Sequence, residues 1–90
     1  MMNPIERKAE IEVRLKNVFE PDLLEVIDES HLHAGHAGAR DGRGHFRVHI
    51  VAAFFAGIAP LKRHRMVYQA LGELMDTEIH ALAIDAEVSK

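Results

Sequence analysis

Histidine is where this chain departs from an ordinary composition. Seven of its 90 residues are histidine and none is cysteine. His31, His33 and His36 lie in a stretch that also holds Gly35, Gly38, Gly42 and Gly44. His45 and His80 each open an apolar segment. Imidazole binds zinc, copper, nickel and iron, so these five side chains are candidate metal ligands wherever a fold gathers them. A closed structural zinc site fits poorly, because strong zinc signatures join cysteines to histidines at fixed spacings. The plain alternative is that the loop histidines are solvated surface. Protonating all seven would carry the formal net charge from −3 to +4, so the chain should change sign in mildly acidic solution.

The other reactive groups are few. Without cysteine there is no disulfide, thiol redox motif or thiolate nucleophile. Two serines and one threonine leave little for covalent catalysis. Glu25, Asp28 and Glu29 are clustered carboxylates, with Glu25 and Glu29 on one strand face, but no partner base or oxyanion donor accompanies them. The run Lys62-Arg63-His64-Arg65, with its basic residues on an exposed face of two helices joined by a turn, could touch phosphates. The net negative charge argues instead for a solvated helix face, since nucleic-acid binders usually carry a basic footprint. Gly35-His36-Ala37-Gly38 spells a Gly-x-x-Gly string but sits between two strands, so it reads as a chance match.

The elements that must position these residues follow from periodicity. Asn3, Pro4 and Glu6 form a capping pattern, and Ile11, Leu15 and Val18 give the helix that follows a core-facing stripe, with Glu6, Arg7, Glu10, Glu12, Arg14 and Lys16 filling most of its remaining surface. Pro21 and Asp22 end it. Leu23 to Glu29 predicts a strand, with Leu24 and Val26 on one face and Leu23, Glu25 and Ile27 on the other. A long loop spans about residues 30–44. His45 to Ala52 is the clearest strand: Phe46, Val48 and Ile50 alternate with Arg47, His49 and Val51. After a short helical piece from Phe54, Pro60 opens a helix to about Met75. Leu61, His64, Tyr68, Leu71 and Met75 make its stripe, with Val67 and Leu74 beside it, Tyr68 and Met75 in the core and Gly72 a mild weakness. Ile79 to Val88 predicts a third strand.

The first two strands should pair as a hairpin, and a right-handed helical crossover makes the third parallel to the second. That topology carries His45, His80 and the loop histidines to one edge of a three-stranded mixed sheet. The expected class is α+β, one domain over residues 1–90. No apolar run approaches the length of a spanning helix. The first residues mix Glu6, Glu10 and Glu12 with Arg7 and Lys8, which fits neither a secretory signal nor a transit peptide. A cytoplasmic protein without membrane contact is expected.

Several strings resemble the BolA family in combination. They are Glu25 to His33, His45-Phe46-Arg47-Val48, Phe55-x-Gly57, Arg63-His64-Arg65-Met66-Val67-Tyr68 and His80-Ala81-Leu82. The resemblance runs from about Ile5 to Ala86. It implies a fold like a class II KH domain, in the order α-β-β-α-α-β with the helices on one sheet face. It also implies an adaptor, not an enzyme, that pairs with a monothiol glutaredoxin and shares with it a bridging [2Fe–2S] cluster held partly by glutathione. Roles in iron homeostasis, cluster trafficking, stress morphology and transcription come with the family.

Carried onto this chain, the resemblance makes His80 one cluster ligand and His33 the loop ligand, with His45 as a substitute. His31 and His36 are extra donors, which leaves the choice among loop histidines open. The family's DNA-contact surface would fall on Lys62, Arg63 and Arg65. Mixed sulfur and histidine ligation is sound chemistry, because two histidines can replace two cysteines on one iron. A histidine-bearing chain without thiolates is then half of a site. Whether the protein alone forms a homodimer is left open.

Overall fold

The computed structural model describes residues 2–33 and 42–90. Helix α1 runs from Pro4 to Phe19. Its start is closed by the predicted capping box. The Asn3 side chain accepts from the Glu6 backbone N–H at 2.8 Å, and Glu6 Oε1 accepts from the Asn3 N–H at 3.0 Å. At its other end Glu20 adopts the left-handed conformation (φ 45°, ψ 55°) and donates its N–H to the Lys16 carbonyl.

The buried stripe of α1 is Arg7, Ile11, Leu15 and Phe19. The expected stripe ended on Val18, which is exposed. A further step of four from Leu15 lands on the larger ring of Phe19, and that ring wins the interior. Arg7, expected on the surface, is instead buried one turn before Ile11. Its Nε donates to Glu78 Oε1 at 3.0 Å, and both side chains are more than nine-tenths covered.

Strand β1 (Leu23–Asp28) pairs antiparallel with β2 (Gly44–Val51), which pairs parallel with β3 (Ile79–Glu87). The sheet order is β1-β2-β3, as expected. Val26 lies opposite Val48, and Val48 opposite Ile84, so one face of the sheet is apolar. Phe46, Val48 and Ile50 on that face are buried beneath α1 and the crossover helices. The other face carries Glu25, Arg47, His49, Asp85 and Glu87 toward solvent.

The crossover from β2 to β3 contains a 3-10 turn at Ala53–Phe55, then α2 (Pro60–Leu71) and α3 (Leu74–Thr77). The single helix expected to reach Met75 is thus broken. Gly72 has φ 55° and ψ −127°, a backbone state that side-chain-bearing residues avoid, and its N–H returns to the Tyr68 carbonyl. Arg14 secures the break. It donates through Nη1 to the Leu71 carbonyl at 2.8 Å and through Nη2 to Glu73 at 2.7 Å.

The buried stripe of the helical pair is Val67, Leu71 and Leu74. The expected stripe shares Leu71 with it, and Val67 and Leu74, expected beside that stripe, are at its centre. Leu61 and Tyr68 are exposed, and His64 and Met75 are half-buried. Tyr68 is therefore not a core residue, and Met75 packs only at the core margin. Among the described residues, no helix is long and apolar enough to cross a membrane.

Candidate functional site

The start of β3 sets the site. Gly44 lies opposite Ile79, but the next pair is His45 with Ala81, a shift of register at the sheet's end. His80 is the extra residue of the resulting bulge. Counting back from Leu82 on the core face, strict alternation would aim His80 inward and Ile79 outward. The bulge reverses this: Ile79 is 1% exposed and His80 is at the surface. Bulges commonly re-aim a side chain in this way.

His45, at the head of the parallel neighbour, is buried. Its backbone is held on both sides. The N–H donates to Ser30 Oγ at 3.0 Å, and the carbonyl accepts from the Glu29 N–H at 2.8 Å. Ser30 is fixed in turn, since its own N–H donates to Asp28 Oδ1 at 2.9 Å. Glycine suits the position before His45 because the space there is tight. A Cβ on Gly44 would stand 2.5 Å from the Phe46 ring and 3.3 Å from Ser30 Oγ. The outcome is two imidazoles side by side, the His45 and His80 ring centroids 5.1 Å apart with 46° between their planes.

Arg43 completes this end of the sheet. Its Nη2 lies 3.0 Å from His80 Nδ1, and its Nη1 lies 3.4 Å from the Asp76 carbonyl. A guanidinium only donates, so Nδ1 of His80 is the acceptor and its Nε2 carries the proton. The expected meeting of His45 and His80 is therefore present. His31 lies in the 3-10 turn Ser30–His33 and is exposed. The His33 side chain, and all of His36, lie outside the described residues.

The basic run does not act as one surface. Lys62 and Arg65 are exposed. Arg63 turns inward, donating through Nε to the Ile58 carbonyl at 2.7 Å and through Nη1 to the Ala86 carbonyl at 3.0 Å. It ties the start of α2 to β3.

A second polar cluster escaped the sequence reading. On the solvent face of the sheet, His49 Nδ1 lies 3.3 Å from Glu25 Oε1. Its Nε2 lies 3.1 Å from Glu87 Oε2 and 3.9 Å from Asp85 Oδ2. The bonds to Glu87 and then Glu25 raise the imidazole above its ordinary pKa, against a smaller opposing effect of desolvation. The signal was present in the alternation: once Glu25 pairs with His49 and His49 with Asp85, all share one face. Of the other clustered carboxylates, Glu29 lies 3.3 Å from Arg47 Nε, and Asp28 closes the turn at Ser30.

Fold and site thus define a small α+β protein that presents histidines at one end of a three-stranded mixed sheet. The chain belongs to the BolA family: the model of that family, described as BolA-like protein, matches residues 15–90. The chain is 43% identical over 84 residues to BolA-like protein 1 of Mus musculus, covering 93% of this chain and 58% of that protein. It is 43% identical over 77 residues to the DNA-binding transcriptional regulator BolA of Escherichia coli, covering 86% of this chain and 70% of that one. The BolA domain of SufE1 from Arabidopsis thaliana superposes with a TM-score of 0.82 at 34% identity, over 98% of this chain and 95% of that one. The chain spans less than two thirds of the length of the mouse relative. The family is the one the resemblance named, and the α+β class with a three-stranded mixed sheet is the one expected.

Proposed function

We propose that this chain is a cytoplasmic adaptor that binds a monothiol glutaredoxin and co-ligates a bridging [2Fe–2S] cluster with it, in iron homeostasis or iron–sulfur cluster trafficking. The observation that carries this reading is the bulge at His80, which turns an imidazole outward beside the ring of His45. The donor set suits the group. A [2Fe–2S] cluster takes four ligands, and histidines serve on one of its irons. With no cysteine in the chain, the sulfurs have to come from the glutaredoxin cysteine and from glutathione. When bound, the cluster supplies an iron–sulfur unit that can be sensed or passed on.

His80 is the first ligand in this reading, and His33 the second, with His45 as its substitute. Both ring nitrogens of His45 lie beneath the surface, so His45 serves only after its ring swings outward. His80 offers Nε2 as a ligand only when its proton sits on Nδ1, and that nitrogen then ceases to accept from Arg43. The test is a titration of cluster-loaded monothiol glutaredoxin with this protein, followed by visible circular dichroism. A new spectrum saturating at one to one and lost in His80→Ala supports the reading. An unchanged spectrum on mixing overturns it, and a His80→Ala variant that behaves as the parent removes His80 from the site.

A second reading is duplex DNA binding, and two exposed cations on α2, Lys62 and Arg65, favour it. The Escherichia coli relative is named a DNA-binding transcriptional regulator. Phosphate contacts would make such binding weaken steeply with salt. No binding in low salt would end this reading.

A further inference from the structure

The solvent face of the sheet holds a ligand set that neither reading above uses. We propose that it is a divalent-metal site of its own, in which His49 Nε2 and the carboxylates of Asp85 and Glu87 are the ligands and Glu25 orients the imidazole. The site takes a borderline cation such as zinc, cobalt or nickel, because its donors are one nitrogen and carboxylate oxygens with no thiolate.

The sheet register builds it. Glu25, His49 and Asp85 stand in one row across β1, β2 and β3, and Glu87 follows two residues on along β3, on the same face. The imidazole therefore rises from the central strand with carboxylates on both sides. Strands hold their side-chain roots more firmly than a loop would.

The distances suit an ion. One donor atom from each of His49, Asp85 and Glu87 can be chosen so that all lie within 4.8 Å of one another. Zinc bonds to nitrogen and oxygen are about 2.0–2.2 Å long, which sets tetrahedral neighbours roughly 3.3–3.6 Å apart. The two distances from Nε2, 3.1 Å to Glu87 and 3.9 Å to Asp85, bracket that range. Exposed carboxylates need only small rotations to close it. Three protein ligands leave the remaining positions to water or to a group from elsewhere.

The two nitrogens of His49 have different neighbours. Among the described residues, Nδ1 faces Glu25, while Nε2 faces Asp85 and Glu87. A carboxylate that holds the Nδ1 proton leaves the Nε2 lone pair for a metal, the usual outer support of a histidine ligand. Charge points the same way. Three carboxylates surround one imidazole, so the cluster stays negative even when His49 is protonated. Arg47, the cation two residues before His49 on the same strand face, lies against Glu29 instead. A proton on Nε2 satisfies the same contacts as an ion, so the two compete for that nitrogen.

The experiment is a zinc chloride titration of the full chain, read by NMR at the individual imidazoles. The His49 ring resonances should shift and saturate at one equivalent. His49→Ala should abolish this binding event, and Asp85→Asn and Glu87→Gln should each weaken it by about tenfold or more. Glu25→Gln should weaken it by roughly tenfold, the usual cost of losing an outer-shell partner. His80→Ala should leave it unchanged, which separates this site from the histidines at the sheet's end. Zinc that shifts other imidazoles while His49 stays still would overturn the proposal. So would millimolar zinc that leaves the spectrum untouched, or Asp85→Asn and Glu87→Gln variants that bind as the parent does.

Discussion

Nη2 of Arg43 lies 3.0 Å from Nδ1 of His80. The contact fixes the tautomer of the histidine that the proposed function uses first, because arginine cannot accept and so Nδ1 cannot carry a proton. It sets the two roles of His80 in opposition: the nitrogen bonded to Arg43 in this structure is the one that must be protonated before Nε2 can bind a metal. Replacing Arg43 with alanine removes a hydrogen bond worth about 0.5–1.5 kcal/mol, which is roughly a two- to twelvefold change in tautomer ratio. The Nδ1–H form of His80 should rise by that factor, as read from long-range proton–nitrogen correlations at a pH where the ring is neutral. A ratio identical to the parent's would show that Arg43 does not hold the ring.

The pair Arg7–Glu78 makes the fold sensitive to acid. Burial pushes the Glu78 carboxyl up, but bonds from Arg7, the Met2 N–H and Thr77 outweigh this and hold it below the usual carboxylate range. Glu73 is held down to about 2, chiefly by its bond from Arg14. Both shifts are downward. The stability each adds is full above the ordinary value of 4.5 and is lost as pH falls through the folded value. Glu73 is the more exposed, so its share shrinks with salt. Thermal unfolding should show Tm falling between pH 5 and pH 2. Arg7→Ala at neutral pH strands a buried carboxylate and should lower Tm by about 10 °C or more. Arg7→Leu combined with Glu78→Leu should recover part of that loss. An Arg7→Ala variant with the parent's Tm would mean the pair contributes nothing.

The parts of this fold legible in the sequence were those written as local periodicity. Asn3-Pro4-x-Glu6 gave the helix start, and the alternation from Phe46 to Val51 gave the central strand with its correct faces. The parallel pairing of β2 with β3 followed from a helix lying between them. What stayed hidden depended on partners distant in the chain. Arg7 looked like a surface cation because Glu78, its partner, is 71 residues away. Arg63 looked like a phosphate contact because the Ala86 carbonyl that engages it belongs to another element. At the site, topology brought His45 and His80 together, but the one-residue bulge that turns His80 outward has no local signature. His49 was read as the polar half of an alternating strand, and only the register of both its neighbours shows the carboxylates around it.

Two glycines test different physics. Alanine at Gly72 meets nothing closer than 3.7 Å, at Arg14 Nη1, so its cost is conformational, from φ 55° with ψ −127°. It should destabilise the chain by about 1–3 kcal/mol. Alanine at Gly44 meets no such backbone demand but drives a Cβ into the buried Phe46 ring at 2.5 Å. Its cost should be similar, about 1–3 kcal/mol, from overpacking. The two differ in where they act. Gly72→Ala should leave the resonances of His45 and His80 in place, whereas Gly44→Ala should move them, because Gly44 directly precedes His45. Denaturant unfolding gives the energies, and imidazole spectra separate the mechanisms. A Gly44→Ala variant with unmoved histidine signals would show that the Phe46 ring yields without disturbing the sheet's end.

Arg63 divides structure from recognition on α2. Its guanidinium donates to the carbonyls of Ile58 and Ala86, which leaves Lys62 and Arg65 as the exposed cations of the run. If duplex DNA binds this surface, Lys62→Ala and Arg65→Ala should each lower the slope of log affinity against log salt by about one unit, with Tm unchanged. Arg63→Ala should do the reverse. It removes two charge-assisted bonds between α2 and the rest of the fold, for a loss of about 1–3 kcal/mol in stability, and changes the salt slope little. Arg63→Lys should not rescue it, since one ammonium cannot reproduce the guanidinium's two separated donors. The check is to measure unfolding and salt-dependent duplex binding on the same four variants. A salt slope that falls in Arg63→Ala with stability intact would mean the guanidinium leaves its carbonyls for phosphate, and the surface would then include all three cations.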